Sequence, residues 1–150
     1  MTKPALLAAV ISALALASPA AQDGPKGYRL DHYTSVDAGK LLVTDAVVVL
    51  PLGAALKEHG PHLPLRNDLT LAEYLATRIE AASPVVIAPP LTYHFNPEVT
   101  EYPGSTSLTA DTARDYTVQI VRSLARSGPR RFYVLRGLRR NMGSTRYKGG

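Results

Sequence analysis

Three short apolar runs limit what this chain can fold into. Ala46–Leu50 reads Ala-Val-Val-Val-Leu, Val85–Ala88 is a second run, and Arg131 to Arg136 encloses Phe-Tyr-Val-Leu. The first run, apolar at every position without alternation, fits a strand covered on both faces, and the other two read as further strands. Two stretches of helical periodicity separate the runs. In the first, Leu71, Leu75, Ile79 and Ala82 share a face, Thr70 and Glu73 make a capping-box pair with Leu69 just outside it, and Ser83-Pro84 stops the helix. In the second, Thr109 is the N-cap, Asp111 lies in the first turn, and Ala113, Tyr116, Ile120, Val121 and Leu124 face one side. Gly128-Pro129 ends it. The order strand–helix–strand–helix–strand predicts an α/β fold: three layers, α/β/α, around a mostly parallel sheet with right-handed crossovers.

The connections are the long parts. Residues 22–35 read as an irregular lead-in, and Val36–Val43 fits a short helix or a strand. Residues 52–67 and 89–108 read as loops that leave strands at their carboxyl ends. Ligands of such sheets bind beyond that edge, so the two loops are expected to face each other across one crevice. A connection as long as 89–108, with Pro89, Pro90, Pro97 and Pro103-Gly104, is usually functional or mobile.

Composition narrows the chemistry. The chain has no cysteine, which excludes a structural disulfide, a thiol nucleophile and a thiolate zinc site. With 45% hydrophobic and 19% charged residues it is globular rather than disordered. Lys3, the apolar stretch Ala5–Ala17 broken only by Ser12, and the small residues Ala17-Ser-Pro-Ala-Ala21 match a signal peptide, residues 1–21. The apolar stretch is too short to span a bilayer comfortably. The mature chain is therefore expected to be secreted or periplasmic, with no membrane association after cleavage. The formal net charge is +5, and every charged residue after Asp115 is basic. No aromatic ladder or recognition motif accompanies that charge, so no nucleic-acid partner is expected.

The first loop concentrates Glu58, His59, His62 and Asp68, and the second adds His94, Glu98 and Glu101. Imidazole and carboxylate are the ligand types of zinc, manganese and iron, and a site built from both loops could activate water at neutral pH. Spacing alone leaves simpler roles open: Asp68 as a helix cap, His94 as a loop hydrogen-bonder, the others as solvated groups. Ser105 and Ser107 have no evident His and Asp partners for a triad.

The segment Val49–Asp68, Val-Leu-Pro-Leu-Gly-Ala-Ala-Leu-Lys-Glu-His-Gly-Pro-His-Leu-Pro-Leu-Arg-Asn-Asp, resembles the signature of the creatininase family, the creatinine amidohydrolases. Tyr102-Pro-Gly-Ser-Thr-Ser-Leu108 resembles the family's second motif, and Ser123-Leu124 to Val134 the helix and strand before its third. The resemblance runs from Val47 to Gly137. It implies an α/β fold with a divalent metal site (zinc, manganese or iron), often binuclear, that hydrolyses cyclic or linear amides, as in creatinine to creatine. It also implies a small amide-containing partner and a homo-oligomer. By position, His59 matches a metal-binding histidine and Asp68 the aspartate that bridges two metals. Glu98, Glu101 and His94 are possible contributors from the second loop.

The same resemblance marks departures. The family's glutamate two places before the histidine is Lys57 here, and Glu58, displaced by a one-residue insertion, is the candidate to take over its metal-binding role with a shifted loop. A histidine of the second motif falls at Val99. The third motif falls on Arg136-Gly-Leu-Arg-Arg-Asn141, with Leu138 for a histidine and Arg140 where a cation would oppose a metal. The expectation is a creatininase-like domain at 22–137 followed by an irregular basic tail, 138–150, truncated or shifted in frame after about Leu135. An exported subgroup that uses Glu58, His59, Asp68 and loop groups such as Glu98 differently is the other explanation, and it would hold one incomplete metal site at best. The alternative is a non-catalytic binding module, or a decayed fragment, that keeps the fold.

Overall fold

The structure, a computed structural model, describes residues 24–136. The candidate signal segment 1–21, the tail 138–150 and the Gly137–Asn141 part of the third-motif stretch lie outside the described residues. Four strands form one sheet: β1 (Tyr28–Arg29), β2 (Val47–Leu52), β3 (Val86–Ile87) and β4 (Arg131–Arg136). Three α-helices join them: α1 (Ser35–Leu41), α2 (Asn67–Ala82) and α3 (Ala110–Ala125). The sheet order is β1-β3-β2-β4, and every pair is parallel.

β2 sits between β3 and β4, with Val48 level with Val86 on one side and Phe132 on the other. Its side chains alternate between two cores. Val48, Leu50 and Leu52 join Leu42, Val86, Ala88 and Leu91, covered by Ile120, Val121 and Leu124 of α3. Val49 joins Ile87, Leu135 and Ala76 of α2, flanked by Leu75 and Ile79. The three α/β/α layers follow from this, as the unbroken apolar runs require. Burial of a side chain such as Leu50, which has no exposed surface, is worth about 2 kcal/mol.

Several boundaries differ from the sequence reading. The lead-in contains β1, whose Tyr28 N–H donates to Val85 O at 2.9 Å, and a 3-10 turn at Leu30–His32. Arg29 anchors β1 to α2 by donating to Glu80 Oε2 at 2.7 Å and Thr77 Oγ1 at 2.8 Å. The ambiguous 36–43 stretch is helical as far as Leu41: α1 is capped by Thr34 Oγ1, which accepts from Asp37 N–H. α2 begins one turn earlier than expected. Its N-cap is Arg66 without a side-chain hydrogen bond, and Thr70 Oγ1 donates back to Arg66 O at 3.2 Å. The Thr70–Glu73 capping box is therefore absent.

The buried face of α2 is also displaced. Asp68, Leu69, Ala72 and Ala76 are buried, whereas Leu71 and Ala82 are exposed. Gly53, just after β2, explains the shift. A Cβ there would lie 2.6 Å from Asp68 O, 2.7 Å from Leu69 Cα and 2.9 Å from Ala72 Cβ. Such proximity favours small residues, so Ala72 and Ala76 face the strand end, while Leu75 and Ile79 of the expected face pack beside them. In α3 the expected cap forms, Thr112 N–H donating to Thr109 Oγ1 at 3.2 Å. Gly128 ends the following turn with φ +137°, and a Cβ there would strike the backbone of Leu42.

β4 borders the sheet, and no other strand among the described residues pairs with its outer side. Among the described residues no helix is long and apolar enough to cross a membrane. Gly53→Ala is expected to lower stability by about 1–3 kcal/mol through overpacking against α2. Urea unfolding followed by circular dichroism measures this, and an unchanged midpoint would contradict the close approach.

Candidate functional site

The two loops emerge together from the carboxyl edge of the sheet and are stitched by their backbones. Leu91 N–H donates to Pro51 O at 2.8 Å and Gly53 N–H to Leu91 O at 3.1 Å. Further out, Ala55 N–H donates to Thr92 O and Thr106 N–H to Leu56 O, both at 2.9 Å. The second loop has one 3-10 turn, Pro97–Val99, and is braced internally: Ser107 Oγ accepts from Asn96 N–H and donates to Leu108 O, both at 2.9 Å. Ser107 is thus a brace, which accounts for its place in the motif without any nucleophilic role.

Asp68 is the centre of the site. It lies in the first turn of α2, only 5% exposed, where unpaired helix N–H groups favour a carboxylate. Lys57 Nζ donates to its Oδ2 at 3.3 Å. His59 Nε2 lies 3.4 Å from its Oδ1. That nitrogen is buried and, among the described residues, has no hydrogen-bond partner, so the pair touches without hydrogen-bond geometry. The side chains of Lys57, His59 and Asp68 are 12%, 13% and 7% exposed. Lys57 is held from its backbone as well, its N–H donating to Leu65 O at 3.1 Å.

The other candidates stand apart. Glu58 Oε1 accepts from Gly60 N–H, so this carboxylate serves the turn after His59. His62 is exposed. In the second loop, Glu98 and Glu101 are exposed, and His94 Nδ1 is 3.2 Å from Phe95 O. Among the described residues no group of three or more His, Asp and Glu converges as a metal cluster. Two polar groups were not legible as site features: Asn96 Nδ2 and Ser105 Oγ are buried and unpartnered in the second loop. An Asn before Pro carries no burial signal. Lys57 carried none either; its one signal was chemical, a basic residue where the resembled motif has a glutamate.

The two central donors fit one metal ion. A zinc ion bonded to an imidazole nitrogen and a carboxylate oxygen in a tetrahedral shell keeps those donors about 3.3–3.5 Å apart. His59 Nε2 and Asp68 Oδ1 stand at 3.4 Å, and the buried nitrogen otherwise lacks a partner.

The profile of the family described as Creatininase: Creatinine amidohydrolase matches residues 31–147. The chain belongs to the creatininase family. The match runs wider at both ends than the motifs read from the sequence. A creatinine amidohydrolase of Pseudomonas putida is 32% identical over 98 residues, which are 62% of this chain and 37% of that protein. A variant creatininase complexed with creatine is 29% identical with TM-score 0.65, covering 73% of this chain and 44% of that one. A variant creatininase of Zn–Zn type is 27% identical with TM-score 0.65, over the same shares of the two chains. The chain thus spans less than half the length of these creatininases.

Asp68→Ala would leave the Lys57 ammonium buried without its carboxylate. The expected loss is about 3 kcal/mol. The double variant Lys57→Met, Asp68→Leu is expected to recover most of it. Additive losses in a urea double-mutant cycle would show that the pair is not coupled.

Proposed function

We propose that this chain is a creatininase-family hydrolase of cyclic or linear amide C–N bonds in a small molecule, using a divalent metal ion held in part by His59 and Asp68. The observation that carries this reading is the buried, unpartnered His59 Nε2 standing 3.4 Å from Asp68 Oδ1. It lies at the sheet edge where parallel α/β folds bind ligands. The relatives' names add support: one is bound to creatine and one is of Zn–Zn type. The bound ion, zinc, manganese or iron, supplies the Lewis acidity that polarises a carbonyl and eases deprotonation of water.

The chain's own residues do the positioning. His59 offers an imidazole nitrogen and Asp68 a carboxylate oxygen, both largely shielded from bulk water. Glu58 fixes the turn after His59 through Gly60 N–H. Leu56–Thr106 backbone pairing holds the second loop beside the site. Glu98, Glu101 and His94, polar groups of that loop, are the candidates to meet the polar atoms of the substrate. Net reaction adds water across the C–N bond and gives a carboxylate and an amine. The segment Ala5–Ala17 supports export of the chain to the periplasm or beyond, and the outer side of β4, with Tyr133 and Val134 exposed, supports self-association.

A second reading, a non-catalytic module keeping the fold, is favoured by the Lys57–Asp68 ion pair and by the engagement of Glu58 with Gly60. The purified chain, stripped by chelator and reloaded with zinc or manganese, separates the two. The enzyme reading expects metal-restored opening of creatinine or of a related small amide. His59→Ala and Asp68→Asn are expected to lose metal affinity by at least about a hundredfold, beyond the loss seen for groups outside a metal's ligand shell. Creatinine binding that persists after chelation, with no turnover, would instead establish the module.

A further inference from the structure

Asp68 presents its two oxygens to different partners. Oδ1 faces the unpaired His59 Nε2, and Oδ2 accepts from the Lys57 ammonium at 3.3 Å. In its common bridging mode a carboxylate gives one oxygen to each of two metal ions. Here the second oxygen already carries a unit positive charge that is largely shielded from solvent and held from its own backbone by Leu65 O. A second divalent ion bound to Oδ2 would lie against that ammonium, and like-charge repulsion in a poorly solvated site opposes it. No other carboxylate compensates: Glu58, the nearest in sequence, binds Gly60 N–H.

Building on the metal-ion reading above, we infer that Lys57 is a tethered cation standing in for one metal ion. The site accepts a single divalent ion, between His59 Nε2 and Asp68 Oδ1, where the Zn–Zn form of creatininase is named for two. Lys57 here is a positioning residue. It fixes the Asp68 carboxylate with one oxygen turned to His59 and sets the charge of the site.

Zinc stoichiometry tests this without reference to activity. The full chain, stripped and then dialysed against excess zinc, is analysed by plasma mass spectrometry, and its affinity is measured with a zinc-competing chromophore. The wild-type chain is expected to retain one zinc ion per chain, and Lys57→Glu two. Lys57→Met, which removes the charge and adds no donor, is expected to retain one, bound about tenfold or more tighter because the repulsion is gone. Circular dichroism melting shows that each variant is folded, and Lys57→Met serves if Lys57→Glu is not. Two ions on the wild type, one on folded Lys57→Glu, or unchanged affinity in Lys57→Met each overturn the inference. A wild-type chain that retains no zinc removes the metal-ion reading itself.

Discussion

The functional edge depends on a side chain that is not there. β2 is buried on both faces and paired along both sides, so its polar business can begin only where it ends, at Gly53. With hydrogen in place of Cβ, the first turn of α2 comes to within 3 Å of that position. Asp68 is thereby carried under the loop that follows β2, where Lys57 and His59 reach it. A bulkier residue would push α2 outward and take the carboxylate with it. Strand end, helix position and acid–imidazole contact are one geometric fact seen at three scales.

The strands were readable because their burden is simple. Each run is apolar throughout, and each appears in the sheet in a parallel register. Helix α3 was readable for the same kind of reason, since Thr109 caps it and Gly128 closes its turn. α2 keeps part of its expected face, with Leu75 and Ile79 packed on the core, but Gly53 moves the buried centre to Ala72 and Ala76. Leucine at position 71 has the right spacing but the wrong volume for the approach, so Ala72 and Ala76 face the core and Leu71 faces water. The capping pair failed because the chain already turns at Pro64–Asn67, where Asn67 N–H donates to Pro64 O at 3.0 Å, and the helix starts from that turn. β1 escaped notice because two residues cannot show a pattern; its place is set by pairing with β3 and by Arg29 on Glu80.

In the site, sequence order grouped the residues and geometry sorted them. His59 and Asp68 meet, as their shared motif implies. Glu58 is next to His59 in the chain, yet its carboxylate curls back to Gly60, since adjacent residues in a turn do not point the same way. His94, Glu98 and Glu101 lie on the correct loop without reaching Asp68. The residue that does reach it, Lys57, looked like a departure from a motif and proves to be the strongest charge in contact with the central acid. Burial of that kind has no signature in a list of residue types, because a lysine in a polar loop normally lies in solvent.

The sheet order has a consequence in time. β2 is made early, but both of its neighbours are made later: β3 at residues 86–87 and β4 at residues 131–136. Its most apolar stretch therefore waits with open edges while the chain is synthesised. Long-range parallel pairing of this kind is slow and leaves collapsed, unpaired strands exposed to wrong partners. A nascent chain halted before Arg131 would carry the central strand with one whole flank unmet. Such a chain would present an open edge of its most apolar strand, the state in which wrong pairing competes with folding.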